Sequence, residues 1–236
     1  MIDHTFVDHY DDFYNKDESF HQWRAAGAKE KFDNIAALWA GSGQQAKPRV
    51  VDIGCGNGAI AERMADADFY STLQGYDVSA SGIAHASSKE IPNATFAATT
   101  GPVPAADKSF DLAVLSHVVE HVEEPRQILR EAARVADWLI VEVPLEHTWR
   151  YLGDFQWTDT GHVNFYDKTL IRKLLQSCDL IVKEELVTTP GQVWAKSQGS
   201  RKGQAMWTAK RAALSLAPPV ARSVFSYHVT LLAKTQ

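Results

Sequence analysis

The sequence predicts an α/β protein whose central sheet is parallel and covered by helices on both faces. Short runs of β-branched and other apolar residues alternate along the chain with segments of helical periodicity. These runs are apolar throughout, as in strands that are buried on both sides, and do not alternate between apolar and polar residues. The run at 49–53 leads directly into a glycine-rich turn and another helical segment. This order is typical of α/β proteins that bind a ligand at one edge of the sheet.

The strands and the first helix follow from periodicity. Residues 1–40 predict a helix, because Ala28, Phe32, Ile35 and Trp39 recur at steps of three or four residues. The glycines at 41 and 43 end this pattern. Strands are predicted at 49–53, 72–77, 94–98, 110–115 and 138–143, the last closed by Pro144, then from 180 onwards and at 226–232.

The remaining helices are placed by their capping residues. One helix is predicted at 59–64, one after Ser79, and one from Pro125 to about Val135. Asp167 caps a further helix, for which we expect a buried side made of Leu170, Ile171, Leu174 and Leu175. Residues 197–203 are predicted to form a flexible loop.

Composition places the chain among ordinary globular proteins. Of its 236 residues 45% are hydrophobic and 22% are charged, with a formal net charge of -5, and this length supports a large core without crosslinks. Cys55 and Cys178 form no metal-binding pair and fit a reducing compartment. The N-terminus does not resemble a secretory signal, and no apolar run approaches the ~18 residues of a membrane span. We expect a cytoplasmic protein with no membrane partner.

Charge is unevenly distributed along the chain. The segment 190–236 holds seven basic and no acidic residues, whereas residues 1–189 hold 17 basic and 29 acidic ones. The basic segment could bind an anionic partner, or it could dock on acidic residues of the same chain. Candidates for the second arrangement are Asp8, Asp11, Asp12, Asp17 and Glu18. We favour docking within the chain, because nucleic-acid-binding domains are usually basic as a whole.

The turn after the first strand carries the clearest functional signal. Gly54, Gly56 and Gly58 allow the backbone to bend sharply, and the following helix directs its N-terminal amides at the turn. Asp52 stands two residues before the first glycine, where dinucleotide-binding enzymes usually have an apolar residue. Asp77 ends the second strand, where a carboxylate can accept hydrogen bonds from both hydroxyls of a ribose.

This segment resembles motif I of the class I S-adenosylmethionine (SAM) dependent methyltransferases, Asp-x-Gly-x-Gly-x-Gly. Residues 110–122 also look like the strand-four motif of the small-molecule, type 11/23-like branch, and the resemblance covers about residues 48–187. It implies a Rossmann-like sheet of seven strands with the last antiparallel, and SAM as the cofactor. Relatives usually have an aspartate for the adenine where this chain has Thr99. The implied cofactor-binding residues are Asp52, Gly54, Cys55, Gly56, Gly58, Asp77, Val78, Thr99, Ser116 and His117.

Histidines are the candidates for acid–base chemistry. Methyl transfer from a sulfonium is an in-line displacement that depends mainly on orientation and on exclusion of water. A base is needed only when the acceptor arrives protonated, and His117 lies at the carboxyl end of the fourth strand, where ligands bind. His117, Glu120 and His121 share one helical face. Such a set more often forms a hydrogen-bonded turn than a metal site, so we expect no metal.

A second polar cluster follows the fifth strand. His162 and Tyr166 are candidate catalytic residues, within a Gly-His-x-x-Phe-Tyr run that resembles a segment on the acceptor side of the same branch. Alternatively, both residues simply cap the helix that Asp167 begins, and the sequence leaves the two interpretations open. The candidate acceptor-binding residues are Arg24, Glu142, Glu146, His147 and Asn164.

The resemblance also suggests a domain organisation. Residues 1–46 would form an N-terminal helical lid, and residues 47–236 the SAM-binding core with acceptor-side insertions at about 144–166 and 190–222. We expect a SAM-dependent methyltransferase that acts on nitrogen or oxygen of a small molecule and has no nucleic-acid partner. A homodimer is left open.

Four other functions are alternatives to this one. An enzyme of the same fold could cleave or cyclise SAM and release methylthioadenosine. A nucleic-acid methyltransferase is disfavoured because 116–119 lacks the Asn/Asp-Pro-Pro-aromatic run that holds a flipped base. A nicotinamide-dependent oxidoreductase conflicts with Asp52 and with the glycine spacing. A non-catalytic binding module would require a filled acceptor pocket.

Overall fold

The computed structural model describes residues 18–44, 46–149, 161–197 and 199–236. Its helices are α1 (Glu18–Gly41), α2 (Ala59–Asp66), α3 (Ala80–Ser88), α4 (Pro125–Val135), α5 (Lys168–Gln176), α6 (Gln192–Ser197), α7 (Arg201–Leu216) and α8 (Pro218–Val224). Its strands are β1 (Arg49–Ile53), β2 (Thr72–Asp77), β3 (Ala94–Ala98), β4 (Phe110–Ser116), β5 (Ala136–Leu145), β6 (Leu180–Thr188) and β7 (Tyr227–Thr235). The acidic residues at 8–17 lie outside the described ranges.

The seven strands form one sheet in the order β3-β2-β1-β4-β5-β7-β6. Strands β1 to β5 pair in parallel, and β7 pairs antiparallel with both β5 and β6. The predicted Rossmann-like sheet with an antiparallel last strand is therefore confirmed. The carboxyl ends of β1, β2, β4 and β5 share one edge, and the antiparallel β7 begins at that same edge.

The central strands of the sheet are buried on both faces. In β4 the side chains of Ala113 and Leu115 join one apolar cluster, whereas those of Leu112 and Val114 join the other. Because side chains alternate along a strand, the two clusters lie on opposite faces. Ile35, Leu38 and Trp39 of α1 are in the second cluster. The C-terminal half of α1 is thus anchored on the sheet.

The fifth strand is longer than the sequence predicted. It runs through Pro144 to Leu145, and Pro144 pairs with His228 of β7. The carbonyl of Glu142 points toward β4 and accepts from His117 N–H. Backbone groups two residues apart in a strand point to the same side, so the nitrogen of Pro144 also points toward β4. β4 has already ended there, at Ser116. The missing N–H of Pro144 therefore removes no ladder hydrogen bond.

Two details of the C-terminal half also differ from expectation. Residues 201–203 belong to α7, because the Ser200 hydroxyl accepts from Gly203 N–H and caps the helix. The loop predicted at 197–203 is therefore shorter. Leu170 is exposed, because it lies at the margin of the stripe formed by the buried Ile171, Leu174 and Leu175. In the described ranges no helix is both long and apolar enough to cross a membrane.

Candidate active site

A cavity of about 1680 Å³ opens at the carboxyl edge of β1, β2, β4 and β5, beside the N-terminal half of α1. Of the sequence-predicted residues it is lined by Gly54, Cys55, Asp77, Val78, Thr99, Ser116, His117, Arg24, Glu142, Glu146 and His162. Six others do not line it: Asp52, Gly56, Gly58, His147, Asn164 and Tyr166. The fold thus brings most of the candidate residues to the lining of one cavity.

The glycine turn has the backbone that its sequence predicts. Gly54, Gly56 and Gly58 all have positive φ, at 80°, 53° and 71°. A Cβ atom on Gly54 would lie 2.3 Å from Val118 Cγ2, in the segment after β4. Glycine at this position therefore permits both the left-handed conformation and the close approach of the two segments.

Asp77 is held rigidly at the end of β2. Its Oδ2 accepts from Gly56 N–H at 2.7 Å and its Oδ1 accepts from Ser79 N–H at 2.9 Å. Burial raises the pKa of Asp77, and the N–H groups of Ser79 and Gly56 offset part of that effect. Each carboxylate oxygen keeps a second lone pair with which it can accept from a ligand in the cavity.

Asp52 lies beneath the turn and is 1% exposed. Among the described residues none donates a hydrogen bond to its Oδ2. Burial, and secondarily the nearby Asp77, raise the pKa of Asp52 to about 7. The carboxyl is therefore poised between its neutral and charged forms near neutral pH.

Imidazoles and carboxylates meet on the opposite wall. His117 Nδ1 lies 2.9 Å from Glu120 Oε1, and His117 Nε2 lies 3.4 Å from Glu142 Oε1. His228 Nδ1 is 3.3 Å from both Glu142 Oε1 and His117 Nε2. The Oε2 atom of Glu142 accepts from the Thr230 hydroxyl at 3.0 Å. We call His117, Glu142 and His228 the triad.

Electrostatics couple the members of this wall. Burial raises the pKa of Glu142, but the imidazoles of His117 and His228 outweigh it and hold that pKa well below its usual range. Burial and Lys31 lower the pKa of His117, yet Glu120 and Glu142 outweigh them and raise it overall. His117 also has a positive φ of 58°, a strained conformation for a residue with a side chain.

Lys31 is a cavity residue that the sequence analysis missed. It lines the cavity from α1, and burial lowers its pKa to about 8 although Glu142 and Glu120 oppose the shift. Arg24, Gly27, Ala28 and Lys31 are spaced by three, one and three residues and all line the cavity. This spacing defines one helical face. The periodicity could have identified Lys31, because its face adjoins the apolar stripe of α1 and shares Ala28 with it.

The segment after β5 contributes His162 and Glu146 to the cavity. His162 Nδ1 lies 2.6 Å from Glu146 Oε2, and the His162 ring contacts the His121 ring edge-to-face at 4.7 Å between centroids. His121 Nδ1 in turn lies 3.2 Å from the Gly161 carbonyl oxygen. The two histidines therefore stabilise each other and the chain around them.

Three predicted residues of this segment stand away from the cavity. The Tyr166 hydroxyl donates to Val119 O at 3.4 Å, and Asn164 Nδ2 donates to Val122 O at 2.7 Å. Both side chains hold the turn after β4 in place. His147 is half exposed beside Asp167. The helix-capping alternative fits Tyr166 no better, because Asp167 itself accepts from the first N–H groups of α5.

Comparison with known proteins gives a consistent family. The family described as methyltransferase domain matches residues 17–185. A curated relative, trans-aconitate 2-methyltransferase of Deinococcus radiodurans, is 30% identical over 137 residues, which are 57% of this chain and 50% of that protein. The match spans about half the length of that relative.

Solved structures share the fold. A SAM-dependent methyltransferase from Thermotoga maritima superposes with a TM-score of 0.63 at 14% identity, covering 97% of this chain and 99% of that one. Magnesium protoporphyrin IX methyltransferase from Synechocystis PCC 6803, solved with bound S-adenosylhomocysteine, gives a TM-score of 0.62 at 18% identity, covering 99% and 95%. At such identities the likeness shows the fold alone.

Proposed function

The chain belongs to the methyltransferase-domain family of class I SAM-dependent methyltransferases, and on this basis we propose that it methylates an oxygen or nitrogen atom of a small molecule in the cavity. The observation that supports the proposal most directly is the joining of the cofactor motif and the polar triad wall in one space. One wall suits a nucleoside and the other suits a polar acceptor.

The residues at the first wall fit SAM. Asp77 presents a fixed carboxylate to the cavity, as a ribose diol requires. The Ser116 hydroxyl lines the cavity, is buried and has no hydrogen-bond partner among the described residues. It is available to a polar group of the ligand. We propose that Asp77, Ser116, Thr99 and the turn 54–58 hold the cofactor, with Asp52 supporting the turn from below.

When bound, SAM supplies an electrophilic methyl group on a sulfonium. The task of this chain is then to orient the acceptor and to keep water out of the cavity. Arg24, Gly27, Ala28 and Lys31 line the cavity from α1, and the region around Gly191 lines it from the C-terminal part. Glu30 accepts from Gly191 N–H and Val193 N–H at 2.8 and 2.7 Å and ties these two parts together. We propose that they form the cover over the reacting atoms.

We propose polycarboxylic acids as the first acceptors to examine. Arg24 and Lys31 place two cationic side chains on the cavity wall, and Lys31 has no ion pair or hydrogen bond with the described residues. The relative from Deinococcus radiodurans is named for trans-aconitate, a tricarboxylic acid. A carboxylate oxygen attacks without losing a proton. For a hydroxyl or amine acceptor, we propose His117 as the residue that receives the proton.

The test is to identify the products. Purified protein is incubated with SAM and a panel of carboxylic acids, alcohols and amines, and the sulfur product is analysed by mass spectrometry. We expect S-adenosylhomocysteine together with an acceptor heavier by one methyl group. Methylthioadenosine in place of S-adenosylhomocysteine would instead establish cleavage or cyclisation of SAM. Absence of SAM binding would contradict the proposal altogether.

A further inference from the structure

The donor atoms of the triad form a nearly equilateral triangle on the cavity wall. His117 Nε2 to Glu142 Oε1 measures 3.4 Å, His228 Nδ1 to Glu142 Oε1 measures 3.3 Å, and the two nitrogens are 3.3 Å apart. None of these distances is that of a charge-assisted hydrogen bond, which is about 2.7–2.9 Å. The three atoms lie close together, and the hydrogen bond between the two imidazole nitrogens is a long one.

The size of the triangle matches a tetrahedral metal site. Zn²⁺ binds histidine nitrogen and carboxylate oxygen at about 2.0–2.1 Å, so neighbouring ligands at the tetrahedral angle are about 3.3–3.4 Å apart. Adjacent ligands of an octahedral ion with the same bond lengths would be only about 2.9 Å apart. Two histidines and one carboxylate are also a common ligand set of catalytic zinc sites, which keep one position open.

Buried groups support two of these ligands from behind. Glu120 Oε1 lies against His117 Nδ1 at 2.9 Å, and Thr230 donates to Glu142 Oε2. A carboxylate on the second imidazole nitrogen fixes the tautomer that leaves Nε2 free to bind a metal. Glu120 is fully buried, and no catalytic step proposed above requires it.

Glu142 gives independent evidence for a ligand at this point. It is 1% exposed, yet its Oε1 has no hydrogen-bond donor of good geometry among the described residues. It nevertheless lines the cavity, together with His117 and His228. The imidazoles of His117 and His228 compensate its charge from 3.4 and 3.3 Å without a well-aligned hydrogen bond, and a metal ion at this point would supply a direct partner.

Another histidine–carboxylate cluster is less suited to a metal. Glu120, His121 and His162 also lie close together. However, His162 Nδ1 is engaged by Glu146 at 2.6 Å, and His121 Nε2 is 3.9 Å from Glu120 Oε1. Its members do not form the compact triangle that the triad forms.

We propose that His117, Glu142 and His228 bind one divalent transition-metal ion, most suitably Zn²⁺, whose open position faces the cavity. The role of the ion, which rests on the proposed function, is to hold a carboxylate or hydroxyl oxygen of the acceptor. This proposal replaces the sequence-based expectation of no metal. It also makes His117 a ligand in the metal-loaded enzyme, where Nε2 no longer receives a proton.

The decisive experiment uses Co²⁺ as a spectroscopic substitute for Zn²⁺. Full-length protein without a histidine tag is dialysed against a chelator and titrated with Co²⁺ while visible absorption is recorded. We expect one ion per chain and the intense bands of a tetrahedral site, which Zn²⁺ then abolishes by displacement. Absence of binding, or the weak bands of an octahedral ion, would overturn the proposal.

Matched variants locate the ion. Glu142→Gln and His228→Gln should each abolish the tetrahedral bands, and Glu120→Gln should weaken Zn²⁺ affinity about 10–100-fold. His162→Asn in the other cluster and His85→Asn in α3 should leave the bands unchanged. Loss of the bands in His162→Asn with retention in His228→Gln would place the ion elsewhere and refute the assignment. Circular dichroism on both triad variants guards against unfolding.

A separate measurement distinguishes this inference from the proposed function. Calorimetry with SAM should give the same affinity for Glu142→Gln as for the wild type, since the glutamate lies on the other wall. Tetrahedral bands without SAM binding would contradict the proposed function and leave the metal site standing. If the protein instead binds SAM and transfers methyl after chelator treatment, and Co²⁺ gives no tetrahedral bands, the metal site is refuted and the proposed function stands.

Discussion

Individual carboxylates in this protein do different work because their surroundings differ. Asp77 receives two backbone N–H bonds and faces the cavity, whereas Asp52 is sealed beneath the turn with one oxygen that has no donor among the described residues. We therefore propose the first as a ligand-binding group and expect the second to make stability depend on pH. Each leads to its own prediction.

Asp77→Asn should weaken SAM binding by about 10–100-fold. The change removes a charge-assisted acceptor worth about 1.5–3 kcal/mol, while it preserves the size of the side chain. The measurement is titration calorimetry with SAM on protein shown to be folded. Asp111→Asn is the matched control, since Asp111 pairs with Arg49 at the surface and does not line the cavity. Equal affinities in the wild type and in Asp77→Asn would exclude the ribose role.

Asp52 should make the protein less stable as the pH rises. Its pKa is about 7 when folded and about 3.9 when unfolded. The folded state therefore binds more protons, and the free energy of unfolding falls between these two values. Asp52→Asn should remove this dependence, so the variant should gain stability relative to the wild type as the pH increases from 5 to 8.

Denaturant unfolding at several pH values measures the effect. A shift of roughly three pKa units corresponds to at most about 4 kcal/mol. A difference between the two proteins that stays constant from pH 5 to pH 8 would show that Asp52 is charged throughout this range in the folded state.

Secondary-structure elements constrain one another around the turn from β1 to α2. Gly54 directly follows β1 and lies against Val118, which follows β4. The two segments can approach this closely because glycine has no side chain. Two effects act against any larger residue there, the positive φ and the 2.3 Å approach to Val118 Cγ2. A substitution at Gly54 therefore measures how tightly the turn packs against the segment after β4.

Gly54→Ala should destabilise the fold by about 2–3 kcal/mol, with strain of the left-handed conformation and overpacking both contributing. Adding Val118→Ala should recover the overpacking part, because Cγ2 is removed. Gly101→Ala serves as the control, since a Cβ there meets nothing within 4 Å. Thermal unfolding of the wild type, Gly54→Ala, Val118→Ala, the double variant and Gly101→Ala gives the comparison. Full additivity of the two changes at 54 and 118 would argue against a direct clash.

At the scale of the whole molecule, the cofactor should act as a stabilising ligand. A compound at about 100 times its dissociation constant adds about 2.7 kcal/mol to the free energy of unfolding. For a domain of this size that corresponds to a rise in Tm of roughly 5–11 °C. We expect this rise with SAM and with S-adenosylhomocysteine, and none with NAD. A shift produced by NAD alone would point to the oxidoreductase alternative.

The contacts of the basic segment 190–236 also depend on the fold of the whole molecule. Glu30 of α1 accepts from the backbone at Gly191 and Val193, which joins the N-terminal helix to the start of the basic segment. Arg211 of α7 stacks on Trp207, whose indole donates to Thr189 O. Part of the basic segment is thus held by contacts within the chain, although none of these contacts pairs a basic side chain of the segment with an acidic one. Its pairing with residues 8–17 stays a prediction.

The sequence alone determined the sheet and the glycine turn after its first strand. Strand bounds at β1, β2 and β3 agree with the predicted runs. In β1 the reason is that a strand buried on both faces requires a continuous apolar segment. The glycine turn and Asp77 were also readable, because positive φ and a strand-terminal carboxylate depend on local chain geometry. The end of β5 was predicted wrongly at Pro144. A proline is tolerated there because β4 has already ended on the side that its nitrogen faces, and the sequence does not show where the neighbouring strand ends.

Only the tertiary structure decided the opposite wall. Glu142 lies in β5, His228 lies in β7 and His117 directly follows β4. The antiparallel return of β7 brings the three together, and no local pattern encodes it. The helical spacing of Lys31 is readable from the sequence, but its lowered pKa results from burial in the folded protein. Tyr166 and Asn164 lie in a motif-like segment, yet their side chains turn to the loop after β4. Local sequence fixes backbone conformation and periodicity, but the convergence of distant side chains depends on strand order and on the direction in which each strand runs.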